Sequence, residues 1–134
     1  MPMNKFEITR RILTGARDLL ADESRWVQGP IAENAAGEEV HATAADACTW
    51  CSLGALYKEF YDVFPDHDSA PHSEKIAQAS IQDSTLEYLR EHIVRHTDEI
   101  FDDIAYYNDH ECHDHGDVLA VFDLAIEGLG KEGE

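Results

Sequence analysis

Lys5-Phe6-Glu7-Ile8-Thr9-Arg10-Arg11-Ile12-Leu13-Thr14-Gly15-Ala16-Arg17-Asp18-Leu19-Leu20-Ala21-Asp22 is the stretch from which the fold class is read. Its apolar residues Phe6, Ile8, Ile12, Leu13, Ala16, Leu19 and Leu20 recur at helical spacing, with Arg10, Arg11 and Arg17 outside that stripe. The pattern predicts an amphipathic first helix, whose apolar face needs other elements to cover it.

Downstream, Gly29-Pro30 and Asn34-Ala35-Ala36-Gly37 interrupt any helix, while Trp26, Val27, Ile31 and Val40 around them suit short extended pieces. This predicts a small β-hairpin or extended loop. Thr43-Ala44-Ala45-Asp46 has capping-box spacing with Asp in place of Glu or Gln, so a second helix is expected from Thr43 to about Phe64, where Pro65 stops it. Ser73 and Ser84 suit helix starts that bury Ile81, Leu86, Leu89, Ile93 and Val94, in one helix or two. Thr97-Asp98-Glu99 opens another helix ending near Tyr107, a loop spans Asn108 to Gly116, and a final helix runs Asp117 to Leu129. The chain therefore reads as mainly α: one compact domain over residues 1–134, with about five to six helices and disordered ends near 1–4 and 130–134.

A length of 134 residues suits one core, and 43% hydrophobic residues spread along the chain suit a globular protein. No apolar run approaches the roughly 20 residues of a membrane span, and Met1-Pro2-Met3-Asn4-Lys5 lacks a signal-peptide core. A cytoplasmic protein is expected. Three cysteines, Cys48, Cys51 and Cys112, argue against a disulfide framework.

The net charge is −18, and it is uneven: residues 1–60 hold 9 acidic and 6 basic residues, whereas residues 61–134 hold 19 and 4. Such a field repels nucleic acid and anionic membrane and attracts a basic protein surface. Carboxylates on solvent faces, with only four lysines, also suit solubility or growth in salt, and the sharper alternative is mimicry of a phosphate backbone.

Three short blocks stand out: Trp26-Val27-Gln28-Gly29 with Ala32; Trp50-Cys51-Ser52-Leu53-Gly54-Ala55-Leu56; and Tyr107-Asn108-Asp109 ahead of Val118-Leu119. In order and residue type they resemble an uncharacterised family of small bacterial and phage proteins, over roughly Ile12 to Ile126. The resemblance implies no activity. It does support Cys51, Asn108 and Asp109, but not His41, Cys48 or the His-rich loop.

Several chemistries compete for these residues. Cys51 with Gly54 and Ala55 makes a small-residue strip that suits close helix packing. The same Cys51, activated at a helix start and served by His41, would be a nucleophile, with Asn108 or Asp109 orienting the histidine. Trp26, Gln28, Trp50, Cys51, Asn108 and Asp109 would line a pocket for a small polar ligand, whereas turn chemistry alone also explains an Asn-Asp pair. Cys48 and Cys51 together with His110, Cys112, His113 and His115 offer zinc ligands without standard spacing. No phosphate-binding glycine loop, metalloprotease motif or serine elbow occurs. The favoured expectation is an acidic, non-enzymatic binding or inhibitor protein without a cofactor, monomeric or homodimeric, engaging a basic partner and, as the resemblance implies, of phage or prophage origin. The alternatives are a thiol-dependent or small-molecule enzyme and a zinc-stabilised module.

Overall fold

The computed structural model describes residues 4–97, 104, 107–111 and 114–132, without side-chain detail at 96, 97, 110, 111 and 130–132. Its elements are helix α1 (Lys5–Leu20), strands β1 (Ala32–Asn34) and β2 (Ala47–Trp50), and helices α2 (Ser52–Val63), α3 (His72–Thr97) and α4 (His115–Glu132). A π-helical turn at Tyr107–Glu111 precedes α4. The expected mainly helical fold with a small antiparallel β element after the first helix is the one observed.

The Asn4 side chain caps α1 by accepting from the Glu7 N–H at 2.9 Å. Ile8, Ile12, Leu13, Ala16 and Leu20 are buried, as the periodicity requires, whereas Phe6 at the head of the stripe is 47% exposed. Helix α1 touches α2, α3 and α4, so its stripe is the centre of the core, met by Leu56 and Phe60, by Leu89 and Ile93, and by Val118, Val121 and Phe122. A buried polar pair crosses this core, the Thr9 and Thr85 hydroxyls at 3.1 Å.

The second helix is shorter than its capping-box pattern predicts. It starts at Ser52, not Thr43, because residues 47–50 form β2, antiparallel to β1 with Ala32 opposite Trp50. Thr43 to Asp46 is a turn, and Asn34 Nδ2 donates to the Asp46 carboxylate at 3.2 Å, where a capping box would turn an acid back onto its own helix. Trp50 anchors the strand: its ring is buried and its indole N–H donates to the Ala42 carbonyl at 2.9 Å. The pairing and this burial outweigh the weak local preference of an alanine-rich segment for helix.

Asn34 to Gly37 does form a turn: Asn34 Oδ1 accepts from the Ala36 and Glu38 N–H groups, both at 3.0 Å, and Gly37 has φ +80°. Residues 72–97 form one helix, not two, burying Gln82, Thr85, Leu89, His92 and Ile93, while Ile81, Leu86 and Val94 are half-buried. Of the helix expected from Thr97 to Tyr107, residues 98–103, 105 and 106 lie outside the described residues, and Ile104 is buried. Gly128 lies inside α4. A Cβ there would stand 2.8 Å from both His92 Nε2 and the Tyr88 hydroxyl oxygen, so glycine permits α4 to approach α3. No described helix is long and apolar enough to cross a membrane.

Candidate functional site

The three blocks meet at Asn108. This residue sits in the π-helical turn, not in the expected loop, and its side chain is 0% exposed. Its Oδ1 accepts from the Trp26 indole N–H at 2.8 Å, the Ser52 hydroxyl at 2.8 Å and the Ser52 backbone N–H at 3.0 Å. Its Nδ2 donates to the Val27 carbonyl at 3.1 Å and to Asp109 Oδ1 at 2.9 Å, and its own carbonyl accepts from Gln28 Nε2 at 2.8 Å. Asp109 Oδ1 also accepts from the Gly29 N–H at 2.8 Å. Gly29 has φ +107°, a left-handed conformation that disfavours any residue with a Cβ.

The local structure explains why these groups converge. The Val27 N–H donates to the Trp50 carbonyl at 3.0 Å and the Cys51 N–H to the Ile31 carbonyl at 3.1 Å, which docks the first block against the end of β2 and the start of α2. A Cβ on Gly54 would stand 2.0 Å from the Ile31 carbonyl oxygen, so the helix approaches this backbone only because residue 54 is glycine. The orphan N–H groups at the start of α2 then find partners in Cys51 Sγ, which accepts from Gly54 N–H at 3.3 Å, and in Asn108 Oδ1.

Asn108 is therefore a clasp: one amide joins the loop after α1, the first turn of α2 and the segment before α4. Every polar atom of its side chain has a partner within the protein, which a buried amide requires. Trp26, Gln28, Asn108 and Asp109 are brought together through hydrogen bonds, Trp50 adds its backbone carbonyl, and Cys51 lies just behind as the helix cap. Sequence alone does not single out Ser52 or the carbonyls of Val27 and Ile31. Ser52 lies inside the second block, but nothing in its residue type distinguishes an inter-segment ligand from a helix-start serine.

Cys51 is 1% exposed, and burial pushes its thiol pKa up, against the smaller opposing effect of the Gly54 N–H. His41 is exposed and turned elsewhere: its Nδ1 accepts from the Thr43 N–H at 3.1 Å, and its ring meets the edge of Tyr61 at 6.0 Å. Cys48 is exposed on β2 while Cys51 is buried, so the helical i,i+3 arrangement on which their joint chelation depends does not form. His115 Nε2 contacts the Leu20 carbonyl, and the His115 ring lies 5.9 Å from that of Trp26. Cys112, His113 and the side chain of His110 lie outside what is described. Among the described residues no three His, Cys, Asp or Glu side chains are grouped to hold a metal ion.

Among the described residues no Asp or Glu is buried, and three ion pairs occur: Arg17 with Asp123, Lys58 with Asp62 and Arg90 with Glu87. Exposed carboxylates occur on every described helix and on the β loop, as at Asp18, Glu38, Asp62, Asp83 and Glu127. Neither a curated protein nor a solved structure matches the chain. A family profile does match, over residues 7–128, a span that contains all three blocks of the clasp, and the chain therefore belongs to the family of unknown function DUF6197.

Proposed function

We propose that this protein is an acidic, non-enzymatic binding protein that engages a basic protein partner in the cytoplasm, as an inhibitor or adaptor encoded by a phage or prophage. The observation that carries the reading is the placement of the carboxylates: all those described reach solvent, and the chain's 10 lysines and arginines cannot compensate its 28 aspartates and glutamates. Such a surface accelerates encounter with a cationic one and penalises anionic partners. The clasp supports the same reading from the other side: the Asn108 amide is spent on the protein itself, and a buried thiol with a raised pKa holds little nucleophilic thiolate. Provenance from phage rests on the resemblance of the three blocks alone.

The test is a pull-down from host lysate at low and then high salt, beside an unrelated protein of equal net charge. A basic partner held by this chain and not by the control, and released by salt, is the expected result. Capture no different from the control would sink the proposal.

A further inference from the structure

Beside the clasp, α2 carries a second feature. Two cavities share Tyr57 in their lining. The first, about 290 Å³, has Leu53, Leu86 and Ile104 as its apolar lining and Asp83, Glu87 and Arg90 at its polar edge. The second, about 410 Å³, is lined by Ile31, Val40 and Ala42 with Glu39 and His41. Arg90 Nε donates to the Glu87 carboxylate at 3.0 Å, so the cation of this rim is already engaged with one of its acids. Asp83 and Glu39 are exposed and enter no ion pair among the described residues.

Resting on the binding role proposed above, we infer that the groove lined by Tyr57 docks a basic amphipathic segment of a protein partner. Two apolar side chains on one face of such a segment seat in the two cavities that share Tyr57, and lysines or arginines flanking them meet Asp83 and Glu39. Charge complementarity selects this occupant: an acidic rim around an apolar floor penalises an acidic or neutral polar segment and favours a cationic one. Asp83 belongs to an exposed row on α3, Asp83, Glu87 and Glu91 at four-residue spacing, which lengthens the negative edge along the helix.

The probe is a synthetic leucine–lysine peptide of about 18 residues, five helical turns, with its leucines on one face, compared with a scrambled isomer of the same composition. Fluorescence anisotropy at low salt should show the amphipathic peptide binding about tenfold more tightly than the isomer, and the double variant Glu39→Lys/Asp83→Lys should remove most of that difference. The control Glu7→Lys/Asp18→Lys makes the same charge change on exposed positions of α1 and should leave most of it in place. Both substituted pairs are at the surface, so circular dichroism should report an unchanged fold. Equal binding of both peptides, weakened equally by either double variant, overturns the groove while leaving the acidic binding role intact. No binding of either peptide overturns both. Concentration-dependent self-association abolished by Glu39→Lys/Asp83→Lys would instead assign the groove to a second copy of this chain and overturn the inference.

Discussion

Replacing Asn108 by alanine should be among the most destabilising single changes in this protein, and its size can be worked from the clasp. The substitution removes the acceptor of the Ser52 and Trp26 N–H groups and the donor to Val27, while the Asn108 backbone contact with Gln28 survives. A buried group left without its partner costs about 1–3 kcal/mol. Ser52 is buried and bears the full penalty, its hydroxyl can rotate to another acceptor, and half-buried Trp26 and Val27 recover part of theirs from water. The total is about 3–5 kcal/mol, a large share of the roughly 5–15 kcal/mol that holds a domain folded. In urea, with a slope of about 2 kcal/mol per M, the midpoint should fall by about 2 M. A fall below about 0.5 M would refute the claim that the amide is structurally committed. Asn108→Asp sharpens the test, since it keeps the acceptors but puts a buried carboxylate beside Asp109. Burial, the Val27 carbonyl and that neighbour oppose the charged form, so the penalty is absent below the unfolded pKa and is full once pH has risen through the folded one. The aspartate variant should approach the wild type on acidification, and the alanine variant should not.

Gly54→Ala places a methyl 2.0 Å from a backbone oxygen that is itself held by the Cys51 N–H, and it should cost about 3 kcal/mol or more in the same denaturation assay. In a Cys112→Ser background, native-state alkylation at neutral pH should consume exposed Cys48 quickly and buried Cys51 only as slowly as the protein opens; matched rates would contradict the cap role of Cys51. Glu59 is half-buried, packed close to Gly15, and burial raises its carboxyl pKa. The folded state then holds this proton more tightly than the unfolded one, so stability falls as pH rises through the glutamate range. Glu59→Gln should therefore raise the melting temperature at neutral pH and lose that advantage near about pH 4, where the wild-type group is protonated in both states; an advantage independent of pH would point to packing instead.

Period and residue type alone determined much of this protein. The stripe from Ile8 to Leu20 specifies α1 and its buried face, because a helix repeats its apolar contacts every three or four residues whatever surrounds it. Pro65 and the Asn34–Gly37 turn likewise act through local backbone geometry. The three blocks were legible as important residues, yet only the tertiary structure decided what they do. Alanine, cysteine and threonine before Trp50 carry no strong local preference, so pairing with β1 turned an expected helix start into strand and made Cys51 the cap of a helix in whose first half it was expected to lie. Asn108 is as compatible with an isolated turn as with a buried clasp; 56 positions separate it from Ser52 and 82 from Trp26, and hydrogen bonds across such separations leave no periodic trace in the chain. Burial, not residue type, chose between those roles, because an amide withdrawn from water must find its partners wherever the fold has brought them.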